Sequence, residues 1–404
     1  MLDVLTTEKM SAPGASRPIV VALSGGGDST ALLNLMVERF SAERLVAGIV
    51  DHGLRRGSAE DATRAAHMAE TLGVPAHITA LTWEEGANRS QHNARQRRYA
   101  ALSTLANHTG AAVIATGHNR DDQAETVLMR ASREARWRNL VCMRAVTRMP
   151  LWPEGRGLWL GRPLLGVRRA ALRDYLSARG ANWIEDPSNS SIHYERVLMR
   201  QRLAEQEAVG FDTMRLAAIA ERLAPLAAQI DDAASALIAK ACGFDDGRII
   251  IDLGAWDGAD TVRQRAFQAL LTAAGASLYP PDAPRTRVLE VIMRGSARRP
   301  FTGQTFAGAL VKKRGDTIVI SRDRGAVYGR ADGARAIPRL PLEAGIEVVW
   351  DRRVALTIDE PGWSVVLGRN ATPELERGEE RAALAAAAPH WLLKERAQHV
   401  LGQD

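Results

Sequence analysis

The chain has 404 residues, of which 46% are hydrophobic, and a formal net charge of +6. At this length we expect two or three domains, each with its own core. Its two cysteines, Cys142 and Cys242, form no C-x-x-C motif, which argues against a disulfide framework, a zinc ribbon and a cysteine-held iron–sulfur cluster. Because neither a signal-peptide pattern nor an apolar stretch of bilayer length is present, the sequence predicts a cytoplasmic protein with no membrane segment.

Apolar, β-branched runs alternate with helical patterns in the first half of the chain. The predicted strands cover residues 19–23, 45–50, 76–81 and 112–115. Strands that alternate with helices imply right-handed crossovers and a doubly wound parallel sheet with helices on both faces. In such a sheet ligands bind beyond the carboxyl ends of the strands.

A glycine-rich turn follows the first predicted strand and precedes a helical pattern over 30–37. Glycines let backbone N–H groups approach an anion, and the helix N-terminus adds its positive dipole end. The sequence lacks the lysine of a Walker loop, and a dinucleotide fingerprint would need glycine where Thr30 stands. The turn is therefore either a phosphate-binding loop of another kind or a turn without a ligand. Its residues are Ser24, Gly25, Gly26, Gly27, Asp28 and Ser29.

Polar side chains also follow the second and fourth predicted strands, and we expect them to face the same crevice as the glycine turn. Asp51 and His52 follow the second strand, where they could also be simple turn residues. Asp121 and Asp122 follow the fourth and make an oxygen-rich patch suited to Mg²⁺ beside phosphates, or a helix N-cap. His118 could donate to phosphate, act as a general base or pack in the core.

Arginines form two candidate anion-binding surfaces. Arg95 and Arg98 lie three residues apart on one helical face, either in solvent or on a phosphate. Between Arg130 and Arg148 six arginines accompany one acid, Glu134. Because arginine pairs with phosphates and stacks on bases, this basic segment is a candidate nucleic-acid surface; a solvated helix without a partner is the alternative.

The second half of the chain carries less information. A helical pattern over 211–242 predicts a connector, followed by a strand over 248–253 and helices around 261–274 and 286–293. A hairpin is predicted with strands 305–313 and 317–321. The last residues, from about 330, mix Pro and Gly with an alanine-rich helical tail and show no chemistry. Trp350, Trp363 and Trp391 in this region are expected to pack in a small core; stacking on bases is the alternative.

Six motifs occur in one order along the first half of the chain. They are S-G-G-G-D-S (24–29), V-D-H-G-L-R (50–55), A-R-Q-R-R-Y (94–99), A-T-G-H-N-R-D-D-Q-A-E-T (115–126), R-P-L-L (162–165) and E-D-P-S-N (185–189). Most of them are weak individually, but together they resemble the tRNA(Ile)-lysidine synthetase family of PP-loop ATP pyrophosphatases. The resemblance implies an α/β fold whose N-terminal doubly wound parallel sheet is of the PP-loop, nucleotide alpha-hydrolase-like type.

The predicted domain organisation follows from this resemblance and from the patterns downstream. Residues 1–205 would form the catalytic domain, 206–245 a helical connector, 246–330 a small α+β domain that could bind tRNA, and 331–404 a tail region of unknown role. A homodimer is one expectation for the assembly.

The resemblance implies a ligase that uses ATP and Mg²⁺. Enzymes of the family adenylate the C2 carbonyl oxygen of the wobble cytidine, position 34, in tRNA(Ile) with a CAU anticodon, and L-lysine then displaces AMP. Another PP-loop tRNA modifier, such as a cytidine thiolase, is an alternative that leads us to expect clustered cysteines. A catalytically idle tRNA-binding homologue is the other alternative.

Site residues are carried over from the motifs. The glycine turn, with Asp51 and His52, would hold ATP, and Asp28, Asp121 and Asp122 would hold Mg²⁺. His118 and Arg95 would complete the catalytic set. Contacts to tRNA are expected from Arg98, Arg133, Arg136, Arg138, Arg196 and Arg200.

The chain departs from the family pattern at two places. Where the family has a glycine-bearing turn, residues 129–138 are rich in arginine, and Val197 stands where an asparagine is usual. We therefore expect the lysine and tRNA sites to differ in detail from those of the family.

Overall fold

The computed structural model describes residues 17–53, 57–83, 90–134, 137–185, 195–294, 303–329, 336–368 and 372–402. The chain divides into two compact units, residues 1–227 and 228–404. Each unit has its own hydrophobic core. Across the ranges given above, no helix is both long enough and apolar enough to cross a membrane.

In the described part of the first unit, six strands form one sheet. They are β1 (Ile19–Ala22), β2 (Leu45–Asp51), β3 (Ala76–Ala80), β4 (Val113–Ala115), β5 (Val146–Arg148) and β6 (Trp159–Gly161). Their order is β3-β2-β1-β4-β6-β5, and all pairs are parallel except β5 with β6. The four predicted strands are confirmed, whereas β5 and β6 were not predicted.

Helices cover both faces of this sheet. The helices of the described first unit are α1 (Gly27–Phe40), α2 (Ser58–Thr71), α3 (Gln91–Thr109), α4 (Arg120–Glu134), α5 (Arg169–Ala178) and α6 (Glu195–Ala208). Of these, α1, α2, α3 and α5 pack on the sheet, whereas α4 and α6 pack against each other. Val21 packs in the core that contains α1, α2 and α5, while Val20 packs in the core that contains α3. Because neighbouring strand residues point to opposite faces, β1 is buried on both sides, and the predicted doubly wound sheet is confirmed.

The second unit begins within a long helix, α7 (Met214–Ala241), and continues with α8 (Asp260–Ala274) and α9 (Ala283–Arg294). An antiparallel sheet of order β7-β8-β11-β10-β9 packs with them. Its strands are β7 (Cys242–Asp245), β8 (Arg248–Asp252), β9 (Gln304–Phe306), β10 (Ala309–Arg314) and β11 (Thr317–Arg322). The predicted hairpin is confirmed as β10 and β11. The single strand predicted over 305–313 is wrong, since positive φ angles at Ala307 and Gly308 divide it.

The alanine-rich helical tail predicted for the last residues is wrong. After α10 (Arg324–Tyr328) the described chain forms short strands, and only Leu384–Ala387 of the alanine run forms a 3-10 helix. The strands are β12 (Leu340–Pro341), β13 (Val348–Trp350), β14 (Val354–Leu356), β15 (Ser364–Leu367), β16 (Pro373–Arg377), β17 (Glu380–Ala382) and β18 (His390–Trp391), before α11 (Leu393–Leu401). Trp350 and Trp363 are buried in a small core and Trp391 packs against it, which confirms their predicted packing role.

Candidate active site

The glycine turn at residues 24–29, hereafter the glycine loop, connects β1 to the N-terminus of α1. Gly25 has a φ of +77°, and a Cβ built there would lie 2.4 Å from Cδ1 of Ile184. The N–H of Ile184 also donates to the Gly25 carbonyl at 2.8 Å. The loop is therefore held from outside by the chain that follows α5, and only glycine fits at position 25.

Hydroxyl groups of the glycine loop also hold it from within. Ser24 Oγ and Ser29 Oγ are 3.1 Å apart, and Ser29 Oγ donates to the Gly26 carbonyl at 2.9 Å. Thr30 Oγ1 donates to the Gly25 carbonyl at 3.1 Å, and its side chain is buried. These bonds fix the loop conformation before any ligand binds, which is the condition for aiming backbone N–H groups at a phosphate.

The loop between β4 and α4 crosses directly over the glycine loop. A Cβ on Gly117 would lie 2.8 Å from the Asp28 carbonyl oxygen and 3.0 Å from the Ser29 backbone nitrogen. Next to this crossing, Thr116 Oγ1 lies 2.8 Å from Nδ1 of His118. The structure thus brings together the polar residues that follow β1 and β4, as expected for parallel strands that end at one edge.

Asp122 performs the capping role that the sequence left open. Its Oδ2 accepts from the N–H of Asn119 at 3.0 Å, and its own N–H donates to Asn119 Oδ1 at 3.0 Å. Such reciprocal bonds satisfy donors at a helix N-terminus. Only Oδ1 of Asp122 is turned toward the site, where it accepts from Arg169 Nη2 at 2.9 Å.

Arg169, which the sequence analysis did not single out, lies among the acidic residues beside the glycine loop. Its Nε donates to Asp28 Oδ2 at 3.4 Å and its Nη1 to Glu125 Oε1 at 3.3 Å, in addition to the Asp122 contact. Its backbone N–H donates to Asp121 Oδ2 at 2.8 Å. Burial would lower the pKa of Arg169, but the surrounding carboxylates outweigh burial and raise it. We call these four acids the acid cluster.

Asp28 is the member of the acid cluster that belongs to the glycine loop. Burial raises its pKa above the usual value, and the charge of Asp122 adds to this effect, while Arg169 partly offsets both. A phosphate ligand and the Asp28 carboxylate would thus meet in a poorly hydrated place, where charges interact strongly.

A resident metal ion held by Asp28, Asp121 and Asp122 does not fit this arrangement. Both oxygens of Asp121 have partners: Oδ2 accepts from the Arg169 backbone N–H, and Oδ1 lies 3.4 Å from Arg168 Nε. One oxygen of Asp122 is used as a helix cap. In the part of the chain that the structure describes, no group of three or more His, Cys, Asp or Glu side chains could hold a metal ion. The three-carboxylate ligand set stays a prediction, and we derive no step through it.

A cavity of about 100 Å³ opens beside the acid cluster, between α4, α5 and α6. Glu125 forms part of its wall; only 1% of this side chain is exposed, and its Oε1 accepts from Arg200 Nε at 3.0 Å. Its Oε2 is buried and has no hydrogen-bond partner among the described residues. Leu203 and Met214 give the cavity an apolar side. The cavity therefore combines acidic side chains with an apolar side, a lining that suits a ligand with a cationic group and an aliphatic stem.

The residues at the carboxyl end of β2 lie beside α3. Asp51 Oδ1 accepts from the Gly53 N–H at 2.9 Å, so it makes the turn that the sequence offered as an alternative. His52 is partly buried, and both burial and the charge of Arg98 lower its pKa. His52, which was predicted to bind ATP, and Arg98, which was predicted to bind tRNA, therefore lie next to each other.

Arg95 and Arg98 surround a buried tyrosine. Arg95 Nη2 donates to the Tyr99 hydroxyl at 2.9 Å, and the guanidinium carbons of Arg95 and Arg98 lie 5.2 and 5.5 Å from the ring centre. Burial would raise the pKa of Tyr99, but the charges of Arg95, Arg98 and Arg162 outweigh it and lower that pKa. The pair predicted to contact phosphates is thus held on a fixed aromatic platform.

The basic segment does not form the glycine-bearing turn of the family, because α4 continues as helix to Glu134. Arg130 Nη1 donates to the Asn139 carbonyl at 2.7 Å, and Arg148 lies 3.8 Å from the Trp159 ring centre. Arg133 is exposed on α4, and Arg138 lies 6.0 Å from the Trp137 ring centre.

The other arginines predicted for tRNA lie elsewhere or are not described. Arg136 and the D-P-S-N motif at 186–189 lie outside the described residues, as does the side chain of Arg196. Arg200, with two-fifths of its side chain exposed, contacts the buried Glu125, so the structure places it on the acid cluster.

Sequence reasoning missed Arg169, Asn119 and Ile184 as parts of the site. Arg169 lies 141 positions from Asp28 in the chain, and no short motif connects them. Asn119 could have been found, since an asparagine three residues before an aspartate at a helix start is a capping pattern.

Comparison with known proteins shows the family to which this chain belongs. A family described as the PP-loop domain matches residues 4–207. The chain is 36% identical to a tRNA(Ile)-lysidine synthase of Ruegeria pomeroyi, over 77% of this chain and 72% of that protein. It is 34% identical to a tRNA(Ile)-lysidine synthase of Mesorhizobium japonicum, over 96% of this chain and 85% of that protein. Similarity to the second relative therefore extends through both units.

Among solved structures, the chain is similar to the U34-tRNA thiolase NcsA from Methanococcus maripaludis with its 4Fe-4S cluster. The TM-score is 0.45 at 18% sequence identity, over 55% of this chain and 77% of that chain.

Proposed function

Because the chain belongs to the tRNA(Ile)-lysidine synthase family, we propose that it joins L-lysine to C2 of the wobble cytidine, position 34, in tRNA(Ile) with a CAU anticodon. The observation that carries this proposal is the position of the acid cluster, which lies between the glycine loop at the start of α1 and a cavity with acidic and apolar lining. One edge of the sheet thus offers places for a polyphosphate and for an amine. The reaction would take place in the cytoplasm, and a homodimer stays a prediction from the sequence.

Two steps make up the proposed reaction, and in each of them one bond forms and one breaks. The C2 carbonyl oxygen of the cytidine attacks the α-phosphorus of ATP, and the bond to the leaving pyrophosphate breaks. The ε-nitrogen of lysine then attacks C2, and AMP leaves with the former carbonyl oxygen. The attacking amine must lose a proton to a nearby acceptor.

The glycine loop supports the first step by its chemistry. Backbone N–H groups at the start of α1 would bind the ATP phosphates, and the helix dipole would stabilise the departing pyrophosphate. Mg²⁺ would arrive as the complex of ATP and would neutralise phosphate charge. Asp28 lies in the first turn of α1 and is the acid of the glycine loop that could pair with this complex.

The acid cluster and its cavity support the second step. Among the described contacts, five carboxylates interact with three guanidinium groups, which leaves two negative charges in excess when all are ionised. The groups are Asp28, Asp121, Asp122, Glu125 and Glu207, with Arg168, Arg169 and Arg200. An excess of negative charge favours a cationic ligand. The lysine ammonium would pair with the carboxylates that line the cavity, Glu125 among them, and its methylene groups would pack on Leu203 and Met214.

The arginines support binding of an RNA. Arg95 and Arg98 on their Tyr99 platform and Arg133 on α4 would contact phosphates or bases of the anticodon region. Proteins read RNA sequence mainly in unpaired loops, where a base can be turned out into a pocket. A wobble cytidine lies in such a loop.

Labelled lysine tests the proposal directly. The full chain is incubated with ATP, Mg²⁺, radiolabelled lysine and a tRNA(Ile) transcript with a CAU anticodon, and both tRNA-bound label and AMP are measured. We expect label and AMP in equal amounts, and neither with a GAU anticodon. Release of AMP without transfer of lysine would favour another PP-loop modification, and binding of tRNA without AMP release would favour an idle homologue.

The Asp28→Ala variant tests whether the glycine loop carries out the chemistry with ATP. We expect AMP release to be lost while tRNA affinity is nearly unchanged, because Asp28 lies beside the phosphates and not on the arginine surfaces. Glu38→Gln is the matched control, since Glu38 is an exposed acid on the same helix, paired with Arg179. Equal loss of tRNA binding in Asp28→Ala would contradict this division of labour.

A further inference from the structure

We propose that Arg169 is the resident cation of the acid cluster and the residue that positions Asp28 for the nucleotide. This inference rests on the proposed function, because it takes the glycine loop as the ATP site. It places a guanidinium of the chain itself where the sequence predicted a metal ion held by three carboxylates.

The geometry of the guanidinium supports this role. Each of its three nitrogen atoms faces a different acid, with Nε at 3.4 Å from Asp28, Nη2 at 2.9 Å from Asp122 and Nη1 at 3.3 Å from Glu125. Only 17% of the Arg169 side chain is exposed, so water screens these contacts weakly. The group therefore joins the glycine loop to α4 by contacts that a single point charge could not make at once.

The start of α5 fixes where this guanidinium lies. Arg169 is the first residue of the helix, and its backbone N–H donates to Asp121 Oδ2 at 2.8 Å. Asp121 therefore ties the backbone of Arg169 to α4, while the side chain reaches the other three acids. The backbone and side-chain contacts together hold the Arg169 guanidinium in one position.

Charge explains why the cation is needed. The carboxylates of Asp28 and Asp122 both contact the Arg169 guanidinium, so they lie close together and repel each other. An ATP molecule on the glycine loop adds several further negative charges at the same place. Without Arg169 the acid cluster would repel the phosphates, and the Asp28 side chain would lose the partner that holds it in place.

The test compares arginine variants on one helix. Arg169→Gln removes the cation, and Arg169→Lys keeps a charge without the planar fork. Arg179→Gln is the matched control, because Arg179 ends the same helix and forms an exposed ion pair with Glu38. The dissociation constant of ATP with Mg²⁺ is measured by calorimetry without tRNA or lysine, together with thermal unfolding.

We expect Arg169→Gln to weaken ATP binding by about tenfold or more, since a buried cation that contacts several carboxylates is lost. Arg169→Lys should lie between this variant and the wild type, and Arg179→Gln should stay within about twofold of the wild type because exposed pairs contribute little. In an Asp28→Asn background the effect of Arg169→Gln should shrink, because the two residues act as a pair.

A purely structural role would give a different result. The proposal is wrong if Arg169→Gln lowers the melting temperature while the folded protein binds ATP with wild-type affinity. If Arg169→Gln does not fold, the same measurement on Arg169→Lys decides. Additive effects of the Asp28 and Arg169 substitutions would also contradict it. If the wild-type chain binds ATP more tightly than Arg169→Gln but transfers no lysine, the proposed function is refuted and this inference stands. If the wild-type chain does not bind ATP, both are refuted.

Discussion

The crossing of two loops at Gly117 predicts a sharp response to a single methyl group. A Cβ at this position would lie 2.8 Å from the carbonyl oxygen of Asp28 and 3.0 Å from the nitrogen of Ser29, closer than ordinary contact at 3.4 to 4 Å. Both neighbours are backbone atoms of the glycine loop, which cannot turn away as a flexible side chain could. Gly117→Ala must therefore move one loop relative to the other.

The strain of such overpacking amounts to about 1–3 kcal/mol. If the strain is relieved by displacing Asp28 and Ser29, the same free energy is lost by a ligand that needs the loop in its original position, which corresponds to roughly a 5- to 150-fold weaker ATP affinity. Strain that remains in the folded protein appears instead as a lower melting temperature. Calorimetric titration with ATP and Mg²⁺, combined with thermal unfolding, measures both parts.

Gly166→Ala is the matched control in the same unit. A Cβ at Gly166 would have no neighbour within 4 Å, and its φ lies outside the left-handed region. We expect ATP affinity and melting temperature of this variant to stay close to those of the wild type. Wild-type ATP affinity and stability in Gly117→Ala would refute the contact between the two loops and the site built on it.

Three further predictions concern the cavity, the basic segment and the second unit. Glu125→Gln should raise KM for lysine about tenfold or more, because a charge-assisted interaction is lost, while the dissociation constant of ATP stays within about twofold of the wild-type value. An unchanged KM for lysine would exclude Glu125 from the lysine site. Replacement of Arg133 and Arg138 by Gln should weaken tRNA binding and flatten its dependence on salt in a filter-binding assay. Replacement of Arg222, which is exposed on α7, by Gln should do neither. If the Arg133 and Arg138 variant has the same salt slope as the wild type, the basic segment does not bind phosphates. Trp350→Ala should lower the free energy of unfolding of the second unit by about 3–5 kcal/mol in a denaturant titration, and a loss under about 1 kcal/mol would show that Trp350 does not organise its core.

The sequence predicted the sheet and the glycine loop because their signals are local. The run that ends at Leu23 is β-branched and apolar without alternation, as expected for a strand buried on both faces, and the glycines follow it directly. Ligands gather at the carboxyl ends of parallel strands, and this rule placed Asp28 near Asp122, which lies 94 positions further along the chain. Each step needed only short-range patterns and one topological rule.

Other parts of the structure depend on contacts that the sequence does not mark. The position of Arg169 depends on where α5 crosses the sheet edge, and a pair of arginines after R-P-L-L carries no sign of four acidic partners. In the last residues the strands are only two to five residues long, too short for period-two alternation to stand out. The alanines around Leu384 favour helix by intrinsic propensity, but packing against the core of Trp350 outweighs that preference.

The most direct test of the central claim is the transfer of labelled lysine to tRNA(Ile) with a CAU anticodon, measured together with AMP. The account predicts one lysine bound per AMP released with the wild-type chain, and neither product with Asp28→Ala. Wild-type chain that binds this tRNA and ATP, yet releases no AMP and transfers no lysine, would contradict it.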